Sequence, residues 1–547
     1  MSSIDSIDLH IRTYRSALKS NLEVTVHSLT NSYLKMDTIL HPLARDPTRL
    51  DPSAIVYSLL RLPKVVDITK IVVMGQNPQV FSDAGFPDVT KWSKLAVTAR
   101  RRTRFLNRKT GVAASFISSV TDVDDIVNLL IAYQLEWNKF HQIATSTYPK
   151  YSQFKKALTS PDFLKVVNLS AEDWQKIKIA LGKNWRLRLK RMYHRPQNIR
   201  LRLLAGSWID YTKTTQHWWK NISFSVSKSF HLSRQRVYFV SSNSHSLLNI
   251  ITGFALKSEK KLLKIAPENC NDLCPYIPPQ DLLYYLSKFF VSDKKYQKDW
   301  QKIQDNLNIQ TTPSAHYLDV NTQIFPVKSF SKSKYLDPRL KISKPSKIAK
   351  SDALIFNIDY PLGFAAYHVL NKVLENVAAV KGVYILGKAA VLNSEVGDLQ
   401  IPRLVFDEHS QNSYFFKNCF NTSFPFNNSQ GSILTNQKSV TVFGTFLENE
   451  PLLKKYSQND LTVIEMENGP YLSAITEATY DQQTPRGTMV DLNSTPFDIG
   501  IINYTSDTPY SKAKNLGAGS LNLAGVEPVY LGSLAILQRI IELEENS

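Results

Sequence analysis

From about residue 232 onward the chain alternates short apolar runs with stretches whose apolar positions recur every three or four residues. RVYFVSSNSHSLLNIITGFAL (Arg236 to Leu256) reads as a buried strand, a polar turn and a helix. Further strands are predicted in DALIFNIDYPLG, VKGVYILGKAAVL, GDLQIPRLVF, SVTVFGTF, NDLTVIEME and FDIGIINYTSD, and helices in GFAAYHVLNKVLENVAAV and GPYLSAITEATY. Continuous apolar strands separated by helices predict an α/β fold with a mostly parallel sheet covered on both faces. A single helix is expected over Pro279 to Asn306, then a Lys/Ser/Pro-rich loop or insertion near 309–350.

The first 230 residues follow a different rhythm. IDLHIRTYRSALKSNLEVTVHSL and DVDDIVNLLIAYQLEWNKFHQIA carry the helical spacing, and Ser119 or Asp122 is suited to cap the second. One strand is expected at KIVVMGQNP (Lys70 to Pro78). The domain reading is therefore a mainly helical domain over 1–230 and an α/β domain over 231–547.

Charge sharpens that division. Residues 1–230 hold 35 Lys and Arg against 17 Asp and Glu, whereas 231–547 hold 31 against 30. The excess is clustered at Arg100, Arg101, Arg102 and Arg104, and again between Lys183 and Arg202, where Arg186, Arg188, Lys190 and Arg191 lie near Trp185 and Tyr193. Arginine mixed with aromatics suits phosphates and stacked bases, so nucleic acid is one candidate partner and a phosphorylated small molecule another. Solvated basic helix faces over core tryptophans explain the pattern equally well.

Several classes drop out. No run of about 18 uncharged apolar residues is present and the start has no apolar signal core, so the expectation is a cytoplasmic protein without a membrane partner. Cys270, Cys274 and Cys419 are too few for a disulfide framework and are expected as reduced thiols. Asp122, Asp124, Asp125, Glu136 and His141 are of metal-ligand type, but acids at a helix start also suit its dipole, and no metal is assigned. This half also resembles an uncharacterised bacterial family with a similar apolar run ending in glutamine, Glu-Trp-Asn-Lys and His, which brings no known chemistry.

Candidate chemistry gathers at the strand ends of the second half: Gly387 in YILGKAAVL, Gly397-Asp398 in EVGDLQIP, Glu467 in VIEMENG and Asp507 in INYTSDTP. Two carboxylates and a glycine allowing close backbone approach suit a polar ring joined to a sugar. The order LGFAAYHVLNKVLE, LGKAAVL, VGDLQIP, EMENG, TSD resembles the nucleoside phosphorylase and nucleosidase superfamily, over Asp352 to Asp507 at least.

That resemblance implies a three-layer α/β/α domain with a mostly parallel or mixed sheet, acting on a purine nucleoside or nucleotide, commonly as a homo-oligomer. It implies that Asp507, beside Ser506, assists the departing base, that Glu467 accepts ribose hydroxyls and that Met466 packs on the sugar. Stabilising an oxocarbenium-like sugar with one carboxylate while an acid neutralises the leaving group is sound glycosidic chemistry. Lys388 stands where the family has serine, and Ala390 and Val391 where it has glycines. The turn SSNSHS (Ser241 to Ser246) lacks the arginine of phosphorylases and the glutamate of hydrolases, leaving His245 as a substitute base. No organic cofactor is implied, although inorganic phosphate is a potential co-substrate. The rival reading is a catalytically degenerate nucleotide sensor or nucleic-acid-binding protein, and a third is an assembly protein with an acidic partner.

Overall fold

The computed structural model describes residues 3–96, 102–160, 162–269, 277–291, 294–314, 318–334, 336–421, 425, 431–480, 484–509 and 525–547. It divides into two compact units, Met1–Thr214 with Phe443–Asn459, and Thr215–Val442 with Asp460–Ser547. Beside the single cut expected at 230/231, this division differs twice: residues 215–230 group with the second unit, and the seventeen residues Phe443–Asn459 group with the first.

In the first unit helices predominate, the longest being Val120–Thr147, which is buried on nearly every side. Its start is secured by a capping box between Ser119 and Asp122. Where one strand was expected, six are found among the described residues: β1 (Val24–Thr25), β2 (Ile71–Gly75), β3 (Ser93–Leu95), β4 (Arg104–Asn107), β5 (Val112–Phe116) and β6 (Arg200–Leu203). They form one sheet in the order β1-β6-β2-β5-β4-β3, with β2 parallel to both β5 and β6. The apolar pattern hid most of them because β4 and β6 are four residues long and interrupted by arginines. In RLRL the period of two was masked by the charges.

The second unit is built on eleven strands among the described residues: β7 (Arg236–Ser242), β8 (Gln310–Thr312), β9 (Thr322–Pro326), β10 (Leu354–Asp359), β11 (Ala379–Val391), β12 (Leu399–Asp407), β13 (Asn412–Phe415), β14 (Ile433–Thr441), β15 (Leu461–Glu465), β16 (Met489–Asp491) and β17 (Asp498–Asp507). Their order is β16-β13-β12-β14-β15-β11-β7-β10-β9-β8, with β17 pairing β11 and β12. The central neighbours β10, β7, β11 and β17 are mutually parallel, whereas β9, β13 and β15 supply antiparallel pairs. The sheet is therefore mixed.

Alternation along these strands explains the three layers. Val237, Phe239, Val383, Ile385, Ile499 and Ile501 point into one core. Tyr238, Val240, Tyr384, Leu386, Ile502 and Tyr504 point into the other. Helices Ala365–Leu374 and Asn468–Tyr480 close the first, and helices Ser246–Thr252, Pro279–Val291 and Val526–Asn546 the second. Burial on both faces is why the strands read as unbroken apolar runs. Two local expectations are corrected. The stretch 309–350 contains β8 and β9 rather than only loop, since TQIFP is short and ends in proline; and Pro279–Asn306 is two helices, Pro279–Val291 and Lys294–Asn306.

Gly500 shows how tightly β17 is packed: a Cβ there would lie 2.4 Å from Phe420 and 2.8 Å from the Cys419 sulfur. Gly500→Ala is expected to cost about 1–3 kcal/mol through overpacking. A lower urea midpoint with an unchanged slope is the readout.

Candidate functional site

The site forms where β11 and β17 end side by side. They pair in parallel from Gly382 opposite Asp498 to Ala389 opposite Thr505, and then the register slips so that Ala390 faces Asp507. Ser506 is the extra residue of this bulge, and its hydroxyl donates to the Ala389 carbonyl at 3.2 Å. Bulges re-aim the next side chain, and here that side chain is the Asp507 carboxylate.

Gly387 was expected at a strand end but lies within continuous β11, four residues before its last residue. Its missing Cβ leaves room for Asn503, whose amide nitrogen would stand 3.0 Å from a Cβ at that position. Asn503 in turn accepts a 2.9 Å hydrogen bond from Asn468, the first residue of helix Asn468–Tyr480. This brings β15 back onto the same sheet end: Val463 and Ile464 pair antiparallel with Val391 and Ala390, and Glu465, Met466 and Glu467 follow. Glu467 accepts the Gly363 backbone N–H at 2.9 Å, from the loop after β10. Gly363 has φ +51°, a left-handed conformation that glycine adopts without strain.

The loop after β11 frames the carboxylate. Asp398 accepts the N–H groups of Glu395 and Ser432, its carbonyl accepts the Thr505 N–H, and Gly397 donates to the Thr505 carbonyl. Gly397-Asp398 therefore clamps β17 two residues before Asp507. Lys388 and Met466 are half-buried, and Lys388 sits opposite Tyr504 in the register.

Glu465, the first acid of EMENG, carries no assigned role in the motif reading. It is buried and accepts hydrogen bonds from the Thr441 hydroxyl and from the backbone N–H of Glu467 (2.7 Å) and Asn468 (2.6 Å). Desolvation by burial outweighs these donors and pushes its carboxyl up to about 8. The folded state then keeps a proton that the unfolded chain releases near the ordinary value of 4.5. Its contribution to stability is complete below that value and is lost as pH rises through about 8. Relative to wild type, Glu465→Gln is expected to flatten the fall in stability between those limits, checked by urea titrations across the range. A parallel offset with no change of slope would contradict this.

At the end of β7 the predicted residues divide. Ser241 is buried and accepts a 2.8 Å hydrogen bond from Tyr471, so it ties the strand to a helix. Ser242 donates to Asn357, while Asn243 accepts the N–H groups of His245 and Ser246. The His245 ring is half-buried, with Nδ1 3.2 Å from the Tyr530 hydroxyl.

The basic clusters do not form one exposed face. Arg100 and Arg101 lie outside the described residues. Arg102 is buried in ion pairs with Asp122 and Asp125, and Arg104 is buried against Ser115 and the Arg61 carbonyl. Arg188 is buried near Asp67, and Arg191 pairs with the same carboxylate at 2.5 Å. Of the named cations among the described residues, Arg186 and Lys190 are exposed, and they rest over Trp185 and Tyr151. Charged side chains enter the interior when paired, which sequence counting does not register.

The acids considered as metal ligands are similarly engaged. Asp124 holds Tyr14 and Arg15, Glu136 holds His41 and Lys139, and His141 contacts the Met192 carbonyl. Among the described residues there is no group of three or more His, Cys, Asp or Glu placed to hold a metal, and no helix long and apolar enough to cross a membrane. Cys419 is buried; Cys270 and Cys274 lie outside the described residues.

A family model described as a family of unknown function, DUF6909, matches residues 26–542. No curated protein matches. Solved structures similar to part of the chain include an S-adenosylhomocysteine nucleosidase from Streptococcus pyogenes, at 9% identity over 57% of this chain and 99% of that one, with a TM-score of 0.30. A uridine phosphorylase from Schistosoma mansoni matches at 11% identity over 59% and 91%, TM-score 0.31. A 5′-methylthioadenosine/S-adenosylhomocysteine nucleosidase from S. pneumoniae matches at 11% over 56% and 100%, TM-score 0.30.

Proposed function

We propose for this chain, which belongs to the DUF6909 family, cleavage of the N-glycosidic bond of a purine nucleoside or nucleotide at the strand ends of its second unit. The observation that supports the reading is the slipped register of β11 on β17, which sets Asp507 opposite Ala390, three residues past Gly387, on the strand β11 to which β15 returns just before Glu467. The resemblance of these motifs to nucleoside phosphorylases and nucleosidases supports the same chemistry.

In this reading Glu467 accepts hydrogen bonds from the ribose hydroxyls, with Met466 against the sugar. The C1′–N bond breaks with its electron pair leaving on the base, and Asp507 gives a proton or hydrogen bond to the purine N7. A nucleophile then adds at C1′, where positive charge has developed: inorganic phosphate adds as its anion, whereas water releases a proton to solvent as it adds. Substrate phosphate, where present, falls to Lys388. No metal or organic cofactor takes part. Homo-oligomeric assembly and a cytoplasmic setting belong to the same proposal.

The test is base release from purine and pyrimidine nucleosides and their monophosphates, each with and without inorganic phosphate. Release that requires Asp507 and Glu467 supports the reading, and its phosphate dependence names the nucleophile. Tight nucleotide binding without release from any substrate would leave a sensor instead.

A further inference from the structure

With Arg102, Arg104 and Arg188 interior, the positive charge left at the surface of the first unit is concentrated in one stretch. Residues 150–195 hold twelve Lys and Arg against three Asp and Glu. Asp162 and Glu172 pair with Lys165 and Lys176, and Asp173 accepts the Ser170 hydroxyl. The helices Tyr151–Ala157, Asp162–Val166, Ala171–Leu181 and Trp185–His194 of this stretch are joined by a row of aromatic rings. Phe154 stacks on Tyr193 at 4.9 Å, and Phe163, Trp174 and Trp185 continue the row.

In Trp185–His194 the helical period separates two faces. Arg188, Leu189, Met192 and Tyr193 are buried, whereas Arg186, Leu187, Lys190 and His194 are exposed. The Arg186 guanidinium lies 4.4 Å from the centre of the Trp185 ring, and Lys178 of the neighbouring helix lies 5.8 Å from it. One turn on, Lys190 lies 5.6 Å from the Tyr151 ring, which meets the His194 ring at 4.9 Å. Lys155, one turn after Tyr151, is exposed. Lys155, Lys178, Arg186 and Lys190 thus share one face with the half-buried rings of Tyr151 and Trp185. Among the described residues none of these four cations is ion-paired with an acid.

Folding alone does not favour such a face. Arg186 and Lys190 are like charges at i, i+4, and Arg186 stands in a first turn without an acid, where the helix dipole opposes a cation. Charges kept against local preference mark surfaces that serve a partner.

We propose that this face binds single-stranded nucleic acid, its cations neutralising backbone phosphates while Trp185 and Tyr151 offer stacking surfaces to unpaired bases. Paired bases are already stacked and have no use for the rings. A lipid surface would take up the apolar face of the helix, and Leu189, Met192 and Tyr193 are already buried in the protein. The proposal does not depend on the chemistry of the second unit.

The test is fluorescence anisotropy of the full chain with a labelled oligouridylate of about twelve nucleotides. Four phosphate contacts on a single strand predict a slope of about −3 for log affinity against log salt, or about a 50-fold loss between roughly 50 and 200 mM. Combining Lys155→Gln, Arg186→Gln and Lys190→Gln is expected to flatten that slope by about 2. Combining Lys260→Gln, Lys264→Gln and Lys298→Gln removes as much charge from exposed positions of the second unit and is expected to leave it unchanged. If the triple variant does not fold, Arg186→Gln and Lys190→Gln singly are each expected to flatten it by about 0.7. No binding at low salt overturns the proposal, and so do equal losses in the two triple variants. Tighter binding to a duplex of the same length overturns it as well, as does displacement by polyglutamate or by phosphatidylserine vesicles as readily as by unlabelled oligouridylate.

Discussion

Asp507→Asn is expected to lower base release by about 10²–10⁴-fold while substrate affinity changes only a few-fold. Asparagine preserves size and can still offer a hydrogen bond, so the variant removes the proton and little else. A purine leaves with an electron pair that its ring holds poorly without protonation, so the penalty belongs to the transition state and appears in kcat. The backbone around the residue should not move. Ser506 fills the bulge by bonding Ala389, and Asp398 and Gly397 hold Thr505 from the opposite side. A loss confined to KM would instead make Asp507 a binding group, and undiminished release would remove it from the chemistry. Glu467→Gln, whose partner is the Gly363 N–H and whose proposed target is neutral ribose, is expected to affect KM and kcat together.

Arg102→Met is expected to destabilise the first unit by about 3–5 kcal/mol, the cost of breaking a buried ion pair by removing one partner. The guanidinium and both carboxylates, Asp122 and Asp125, have less than a tenth of their side-chain surface exposed. Methionine fills the volume but leaves two acids without their cation. Asp122 keeps the Ser118 N–H and hydroxyl as donors, yet these do not neutralise its charge. The measurement is a denaturant midpoint beside that of Arg186→Met, which removes an exposed cation and is expected to fall within about 0.5 kcal/mol of wild type. Equal effects would mean that the Arg102 cluster contributes no more than a surface charge. The same burial bears on nucleic acid. Arg102, Arg104 and Arg188 are not placed to neutralise phosphates, so charge excess alone does not make this unit a nucleic-acid surface.

Much of the second unit was legible because its central strands are buried on both faces. Such strands must be apolar at every position, so RVYFV, LIFNI, VYIL and IGII stand out unaided, and the helices between them keep a period near 3.6. The motif carriers Gly387, Glu467 and Asp507 were legible for the same reason, as residues at or just past the ends of those runs. What each does locally was not. Gly387 looked like the end of a strand, but it lies inside β11, where its missing Cβ leaves room for Asn503, more than a hundred residues away. Glu465 looked like one acid of a pair, and only burial against Thr441 and the start of a helix distinguishes it from Glu467.

The sequence by itself determined the layered α/β character of 231–547, the order of its strands along the chain and the residues available at their ends. Those follow from periodicity, which is local and survives without knowledge of partners. The tertiary structure alone decided that β15 returns antiparallel to β11, that Ser506 is the bulge residue before Asp507, and that Arg102, Arg104 and Arg188 are interior. Each of these depends on a partner distant in the chain, whose pairing is paid for by contacts that no single stretch of sequence contains.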